Sequence, residues 1–355
     1  MNYKQTIATL RKKFIKITNW EYWPFDLVYL PIYFYWAWLS LKARSFFFFN
    51  TANPTIQNGG FLMESKKKIY DQLQVNTYPK TIFISDSLSF KNCLEKFENK
   101  ELIFPVIAKP DIGLRGLQVK KLNNYTELTD YHNNSKVSYL VQEFINYPNE
   151  VGIFFYKIPG EKMGNISGIV GKEFLMVVGD GKLSIEELII QNDRYFLQLD
   201  QLKINYGKFL EKILPKNELL NLVPYGNHAR GAKFIDLTNL ADNDMIFTMN
   251  KICSQIPNFY FGRLDIKYNS WKELKAGKKF SIIELNGAGS DPTHIYDPKH
   301  SLFYAWKEII KHLNILFTIS RINKQKMQLE YMSTKEGIDM LKANKAHLKL
   351  INPKP

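Results

Sequence analysis

The sequence lacks the cysteine clusters that disulfide scaffolds and zinc sites require. Only Cys93 and Cys253 occur in 355 residues, far apart and outside any metal-like spacing. A disulfide-stapled fold is therefore excluded, and a reducing compartment is indicated. We expect a cytoplasmic protein, either free or at the inner face of the membrane.

Signatures of nucleic-acid recognition are missing as well. The net charge is +14, but the lysines are dispersed, and no zinc finger, basic-region helix or RNA-recognition motif is present. The charge has two open explanations. One is a composition biased toward Lys, Asn, Ile, Tyr and Phe, and the other is attraction of anions such as nucleotides or acidic lipid head groups. We expect no nucleic-acid partner.

The chain also has no long hydrophobic run. Its apolar stretch from Leu27 to Leu41 is 15 residues long and contains Pro31, whereas a transmembrane helix needs roughly 20 apolar residues. No small-residue cleavage site follows, so the stretch is not a secretory signal. Residues 20–50 are unusually aromatic and include Trp20, Trp23, Trp36 and Trp38. Either this segment contacts a membrane interface or it packs on the main domain as a cap.

Strand-like and helix-like stretches alternate from Gly60 onward, with no internal repeat. Enrichment in β-branched and aromatic residues predicts strands at 81–85, 104–109, 117–122, 139–144, 151–158, 164–174, 259–268 and 280–285. Helices are predicted at 90–97, 302–317 and after the capping boxes that begin at Ser184 and Ser333. This order predicts an α+β fold. The predicted domains are an aromatic segment (1–60), a main domain (61–320) and a basic helical tail (321–355).

The two late strands carry the clearest chemistry. In FYFGRLDIKY, alternation places Arg263, Asp265 and Lys267 on one face. In FSIIELNGAG, it places Glu284 and Asn286 on one face together. Two carboxylates and an amide oxygen form the all-oxygen ligand set that Mg²⁺ prefers. The alternative is that one carboxylate simply pairs with Arg263.

A second cluster follows the apolar strand FPVIAK. Lys109 ends this strand, and the loop after it, 110–116, contains Gly113 and Gly116. A lysine and the exposed N–H groups of a glycine-containing loop can hold phosphates. The Walker A pattern is absent, and an ordinary β-turn is the alternative.

A third segment, YLVQEFINYPNEVGIFF, connects two apolar strands. It contains Gln142, Glu143, Ile145 and Glu150, and such a connector can offer backbone and carboxylate hydrogen bonds to an adenine and its ribose. The alternative is that its polar side chains are solvated turn residues.

Together these segments resemble the ATP-grasp superfamily, in particular D-alanine–D-alanine ligases and cyanophycin synthetases. The similarity runs from about Met63 to His312 and begins with Lys66 and Pro79 in ESKKKIYDQLQVNTYPKT. Glu143 and Glu150 have the seven-residue spacing of the family's adenine and ribose contacts. The segments VVGDGKLSIEELI and GNHARGAKFIDLT resemble two further family motifs, and the second contains Arg230.

The resemblance implies an ATP-grasp fold, in which two α+β subdomains clasp ATP, here with a short aromatic N-terminal cap and a helical C-terminal tail. It implies ATP and Mg²⁺ as cofactors. The implied cofactor-binding residues are Lys66, Lys109, Gly113, Gly116, Gln142, Glu143, Ile145 and Glu150. The implied metal ligands are Asp265, Glu284 and Asn286, and the implied catalytic residues are Arg230 and Arg263.

The implied reaction joins a carboxylate, activated as an acyl phosphate, to an amine. Its substrates would be small-molecule or lipid-linked. Two alternatives stay open: an ATP-grasp kinase that phosphorylates a hydroxyl, and a non-catalytic nucleotide-binding protein at a membrane surface. His228 and His294 flank the site in sequence and either act on the amine or make structural hydrogen bonds.

Three features depart from the family. Ile112 and Leu114-Arg115 replace the paired serines of D-alanine–D-alanine ligases in the glycine loop. After Asn286 the chain continues GAGSDPTHIYDP, which differs from the T-x-P-G run of those enzymes. The aromatic segment stands where the family has an N-terminal nucleotide-fold domain. No relative's substrate specificity is therefore carried over.

Overall fold

The computed structural model describes residues 3–114, 116–223 and 231–352, with side chains from Thr6 onward. Twelve α-helices and eleven strands lie within these residues. The helices are α1 (Tyr3–Thr18), α2 (Phe25–Ala43), α3 (Lys66–Tyr70), α4 (Phe90–Asn99), α5 (Tyr125–Asn134), α6 (Ile185–Gln191), α7 (Asp193–Phe196), α8 (Leu199–Tyr206), α9 (Asn243–Cys253), α10 (Trp271–Lys275), α11 (Leu302–Lys326) and α12 (Thr334–Ile351). The strands are β1 (Thr81–Ile84), β2 (Val106–Pro110), β3 (Lys120–Leu122), β4 (Tyr139–Glu143), β5 (Asn149–Tyr156), β6 (Asn165–Glu173), β7 (Leu175–Val178), β8 (Leu219–Val223), β9 (Lys233–Asp236), β10 (Phe261–Tyr268) and β11 (Phe280–Asn286).

These elements confirm the α+β class predicted from the sequence. Each predicted strand overlaps an observed one, and the capping boxes at Ser184 and Ser333 are both formed. The helix predicted at 302–317 extends further, to Lys326. Local patterns thus located the elements, while their exact ends depended on packing.

The chain forms two compact units, each made of separate stretches of sequence. Unit 1 comprises residues 1–33, 170–236 and 293–307, and unit 2 comprises 34–169, 237–292 and 308–355. The helices α2 and α11 and the strand β6 each have residues in both units. The domain boundaries predicted at residues 60 and 320 stay predictions.

Unit 2 contains a four-stranded sheet in the order β1-β4-β2-β3, paired antiparallel throughout. One face is covered by α4 and α5, where Cys93, Phe97 and Leu128 pack on alternate strand residues such as Val106 and Ala108. Because side chains alternate along a strand, Lys109 points away from these helices.

A second sheet in unit 2 places β10 between β5 and β11, with both pairings antiparallel. Leu264 and Ile266 of β10 face a core to which α9 contributes Met245 and Met249. The neighbouring residues Arg263 and Asp265 alternate with them, as the sequence predicts. The sheet therefore presents a polar row on the face opposite its apolar core.

Part of the aromatic N-terminal segment packs inside unit 2. Phe48 and Phe49 are fully buried and belong to a cluster that also contains Phe154, Phe261 and Phe317.

Asn53 anchors the same segment to β10. Its side chain donates hydrogen bonds to the carbonyls of Gly59 and Phe261 and accepts from the N–H groups of Tyr260 and Phe261. Residues 47–53 therefore pack within unit 2, and the choice between cap and membrane contact for the whole segment stays open.

Unit 1 has its own apolar core, formed by α1, α6, α7, α8 and the antiparallel pair of β7 and β8. A buried ion pair joins Arg194 to Glu21, with 2.6 Å between nitrogen and oxygen. Trp20 donates to the carbonyl of His300 and stacks on Tyr296. Trp20 is therefore a packing residue of this unit.

None of the helices in the described part of the chain combines the length and apolar character that crossing a membrane requires.

Candidate functional site

The candidate site is built around the pairing of β10 with β11. Asp265 lies directly opposite Glu284, and Arg263 lies directly opposite Asn286. The register then shifts, so that Ile266 pairs with Ile282 and Ile283 is left without a partner across the ladder. Such a bulge re-aims backbone groups beside a polar cluster, and bulges are frequent next to active sites. The pairing brings the three predicted metal ligands together on adjacent strands.

The polar cluster is held by hydrogen bonds to Asp265. This carboxylate is 3% exposed. Its Oδ2 atom lies 3.0 Å from Nη2 of Arg263 and 3.4 Å from the side-chain nitrogen Nδ2 of Asn286. Burial opposes the charge on the guanidinium, but Asp265, together with Glu284 and Asp291, outweighs it and raises the pKa of Arg263. The pairing of a carboxylate with Arg263, which the sequence left as an alternative, is therefore present alongside the cluster.

Lys66 supplies a cation to this cluster. Its Nζ atom lies 3.4 Å from Glu284 and donates a 3.1 Å hydrogen bond to the carbonyl of Gly113 in the glycine loop. Burial alone would lower the pKa of Lys66, but Glu284 and Glu64 raise it above its ordinary value. Lys66 is thus a charged group that already bridges the glycine loop and a candidate metal ligand.

Lys109 is the second cation, and it is fixed by the bulge. Its Nζ atom donates to the carbonyl of Ile283 at 2.8 Å and to the hydroxyl of Tyr70 at 2.9 Å. Tyr70 in turn donates to Ile283 and is hydrogen-bonded to Gln142. Burial lowers the pKa of Lys109 to about 8, against the opposing pull of Glu284. Gln142 therefore contacts the lysine site through Tyr70, and its predicted role in binding the nucleotide stays a prediction.

The first half of the glycine loop is held by hydrogen bonds at Asp111 and Ile112. Asp111 accepts hydrogen bonds from the N–H groups of Lys66 and Lys67, through its carbonyl and its carboxylate respectively. Nε2 of His347, on α12, lies 2.7 Å from the carbonyl of Ile112. Gly116 has a φ of 72°, a left-handed conformation that favours glycine. The loop thus contacts both Lys66 and the last helix of unit 2.

The predicted adenine-contacting segment connects the two sheets of unit 2. Glu143 ends β4, is exposed and accepts a hydrogen bond from the N–H of Lys80. Ile145 is half-buried in the connector, and Glu150 is buried at the start of β5, opposite Lys267 in the ladder. The segment is placed beside the sheet that carries Lys109, and its role in binding adenine stays a prediction.

The chemistry of the ligand set fits Mg²⁺. Its donors are carboxylate and amide oxygens, with no sulfur or imidazole. Oδ2 of Asp265 accepts hydrogen bonds from Arg263 and from the side-chain NH₂ group of Asn286. Because Asn286 points its NH₂ group at Asp265, its side-chain oxygen, Oδ1, is left for another partner. Asp265, Glu284 and Asn286 are the residues that would hold the ion.

Comparison with solved structures finds partial similarity to three ligases, over 72–74% of this chain. They are a bifunctional glutathione synthetase from Pasteurella multocida (15% identity, 38% of that chain, TM-score 0.38), VanG D-Ala:D-Ser ligase from Enterococcus faecalis (12%, 61%, 0.40) and D-alanine–D-alanine ligase from Bacillus anthracis (14%, 69%, 0.41). No protein-family model and no curated protein sequence matches this chain.

The chain spans less than two thirds of the first two of these proteins. Because the identities and TM-scores are low, the likeness assigns neither a reaction nor a substrate to this chain. The ATP-grasp interpretation of the site therefore depends on the side chains described above.

Arg230, predicted as catalytic, and His228 lie outside the described residues. His294 is buried in unit 1, in the short 3-10 turn Thr293–Tyr296. Their roles in the ATP-grasp interpretation stay predictions.

Two residues of the site were not predicted from the sequence. Tyr70 lies on an unremarkable helix and becomes important only through its contacts with Lys109 and Ile283. Glu64 has a buried Oε2 atom without a hydrogen-bond partner among the described residues, and burial raises its pKa. Its position two residues before Lys66 was the one available clue.

Proposed function

We propose that this chain is an ATP-dependent ligase that joins a carboxylate to an amine through an acyl phosphate. The observation that carries the proposal is one cluster of opposite charges in unit 2. Asp265, Glu284 and Asn286 supply oxygen ligands on adjacent strands, and Lys66 and Lys109 face Glu284 from two other elements. Anionic ligands for a cation beside lysines for phosphates are what binding of a metal–nucleotide complex needs.

The chain's own residues have distinct tasks in this mechanism. Lys66 and Lys109 bind the phosphate oxygens of ATP and orient the γ-phosphate. Mg²⁺, when bound by the oxygen cluster, neutralises phosphate charge. Arg263 remains charged beside the cluster and stabilises the negative charge that develops during phosphoryl transfer.

The proposed reaction has two steps, phosphoryl transfer and then acyl transfer. A carboxylate oxygen of the first substrate attacks the γ-phosphorus, and ADP leaves. The amine then attacks the acyl carbon, phosphate leaves, and the amine loses a proton to give the amide. The glycine loop, 110–117, covers the phosphates and keeps water from the acyl phosphate.

We propose small-molecule or lipid-linked carboxylates and amines as the substrates, in the cytoplasm. Two free, buried cysteines agree with a reducing compartment. The substrates are to be found with paired carboxylates and amines, by measuring ADP release and identifying the products by mass spectrometry. ADP release that depends on both partners, with an amide of the summed mass, is the expected result.

Two conservative variants test the metal cluster. Asp265→Asn and Glu284→Gln keep the size of each side chain and remove its charge, so ADP release should fall by at least about 100-fold, the scale of one lost transition-state contact. Glu95→Gln, at an exposed position on α4, is the matched control. Wild-type ADP release in both site variants would remove these residues from the mechanism.

The kinase alternative is separated by its products. A kinase needs no amine and leaves a stable phosphate ester, whereas an acyl phosphate is trapped by hydroxylamine as a hydroxamate. Hydroxamate formation without an ester supports the ligase. A phosphate ester formed in the absence of any amine contradicts it.

A further inference from the structure

The helix α2 is apolar on every side, and only one side is covered. Val28, Ile32 and Leu39 are buried. On the opposite side lies a row of exposed large apolar residues, which we call the outward row: Leu27, Leu30, Phe34, Trp38 and Leu41. Their exposed fractions range from 46% for Trp38 to 77% for Leu41.

The outward row is continuous along the helix. With 3.6 residues per turn and a rise of 1.5 Å per residue, its five members fall within an arc of about 80° and span about 21 Å. A helix that is hydrophobic all round normally has both faces covered by an apolar medium. Single exposed apolar residues need no explanation, but a contiguous row marks an interaction surface.

Basic residues stand at one end of the row. Lys42 and Arg44 are both exposed, and Nζ of Lys42 lies 4.1 Å from the ring centroid of Trp38. One acidic residue lies within α2, Asp26, and it accepts a hydrogen bond from Tyr33 at the other end. Tryptophan beside lysine at the edge of an apolar surface is typical of a helix that lies in a membrane interface.

We propose that the outward row of α2 docks this protein on the surface of an anionic phospholipid bilayer. The apolar side chains enter the boundary between head groups and acyl chains, while Lys42 and Arg44 contact the lipid phosphates. Charge complementarity favours lipid over a second copy of the chain, because the net charge is +14 and a second copy would bring a second cationic end to the same surface. This surface is independent of the proposed ligase chemistry.

The cap and membrane alternatives for the aromatic segment therefore concern different side chains. Phe48, Phe49 and Trp36 pack inside unit 2, whereas Phe34, Trp38 and Leu41, the members of the outward row that belong to the same unit, are exposed. The helix α1, considered by itself, has a comparable exposed row of Ile7, Leu10, Phe14 and Ile17. It offers a second place for the same test.

The test is sedimentation of the full chain with two kinds of vesicle, phosphatidylcholine alone and phosphatidylcholine with phosphatidylglycerol. The row variant carries Leu30→Gln, Phe34→Gln and Leu41→Gln. The matched control carries Val75→Gln, Ile103→Gln and Phe247→Gln, three residues of similar exposure elsewhere in the chain. All six positions are at solvent, so both variants should keep the wild-type melting temperature, which is checked first.

We expect the wild-type protein and the control to sediment with the anionic vesicles and the row variant to bind at least tenfold more weakly. Lys42→Gln with Arg44→Asn should remove the preference for phosphatidylglycerol; asparagine is chosen because Arg44 has a φ of 54°. Equal binding of the row variant and the wild type overturns the proposal. So does a wild-type protein that stays in the supernatant and whose dimer is lost in the row variant, since the occupant is then a second copy.

A second measurement reports the depth of the row directly. The two native cysteines are buried, so a polarity-sensitive fluorophore can be attached at Leu41→Cys. Anionic vesicles should shift its emission to the blue, while a label at Ile103→Cys should not respond. An unshifted label at Leu41→Cys contradicts insertion of the row.

Discussion

Lys109 on β2 donates a 2.8 Å hydrogen bond to the carbonyl of Ile283 on β11, so a cation from one sheet is fixed on the backbone of the other. The hydroxyl of Tyr70 contacts both residues: it accepts a hydrogen bond from Lys109 and donates one to the carbonyl of Ile283. The pKa of Lys109 is lowered to about 8 because the ammonium group is buried. Lys109, one of the two lysines that we assign to phosphate binding, therefore loses its charge as the pH rises through about 8.

Nucleotide binding should weaken as the pH rises through about 8 in the free protein. Below that pH Lys109 is protonated and attracts phosphate, and above it the amine is neutral, so Kd for ATP should rise by up to about tenfold per pH unit. Isothermal titration calorimetry from pH 6.5 to 9.5, roughly 1.5 units either side of that value, measures this. Lys109→Arg should flatten the alkaline limb, since arginine stays charged, and Lys109→Met should bind weakly at every pH.

The lowered pKa of Lys109 also makes the stability of the protein depend on pH. The unfolded lysine holds its proton up to the ordinary value of 10.5, whereas the folded one loses it near 8. Between these values the unfolded chain binds more protons, so the contribution of Lys109 to the free energy of unfolding increases with pH. Denaturation of wild type and Lys109→Met at pH 7.5 and 9.5, roughly either side of the folded pKa, should show a smaller pH increment in the variant. Identical increments would show that another group dominates.

The ion pair of Arg263 with Asp265 leads to a metal-dependent prediction. Arg263→Ala removes the ion-pair partner of a buried carboxylate and should lower the free energy of unfolding by about 3–5 kcal/mol. Because Mg²⁺ can replace the lost positive charge, adding Mg²⁺ should raise the melting temperature of the variant more than that of the wild type. Arg263→Lys, which keeps the charge without the two-pronged guanidinium, should fall between them. An equal Mg²⁺ increment in all three proteins would place the ion elsewhere.

Sequence patterns predicted the parts of this site that depend on local alternation. The period of two along β10 located Arg263 and Asp265 on one face, and the apolar strand before Lys109 located the lysine. The bulge at Ile283 was not predictable, because it arises from the pairing of β11 with β10. The contacts of Tyr70 and Gln142 likewise depend on how the two sheets approach each other. The outward row of α2 was hidden for a different reason: composition shows apolar residues, but only the packed structure shows which side is left exposed.

The contact between His347 and the glycine loop joins residues 235 positions apart, and it should restrain the loop. His347→Ala removes one hydrogen bond, worth about 1 kcal/mol. Amide hydrogen exchange at residues 111–117 should therefore become severalfold faster in the nucleotide-free variant. Lys345→Ala, an exposed neighbour on α12, is the control. Unchanged exchange in the histidine variant would show that the loop is held by its other contacts with Asp111 and Lys66.

Gly287, directly after Asn286, is packed against backbone too closely to accept a side chain. A Cβ atom there would lie 2.6 Å from the carbonyl oxygen of Gly59 and 2.8 Å from Cα of Gly60. Gly287→Ala must therefore displace the end of β11, which should lower stability by about 1–3 kcal/mol and weaken Mg-ATP binding through movement of Asn286.

Gly277→Ala is the matched control for this variant. Gly277 has a φ of 66°, so alanine is strained there, but its Cβ would meet only Thr248 at an ordinary 3.8 Å. Both variants should lose stability in chemical denaturation, and only Gly287→Ala should lose affinity for Mg-ATP in calorimetry. Wild-type affinity in Gly287→Ala would contradict the proposed link between the end of β11 and Mg-ATP binding through Asn286.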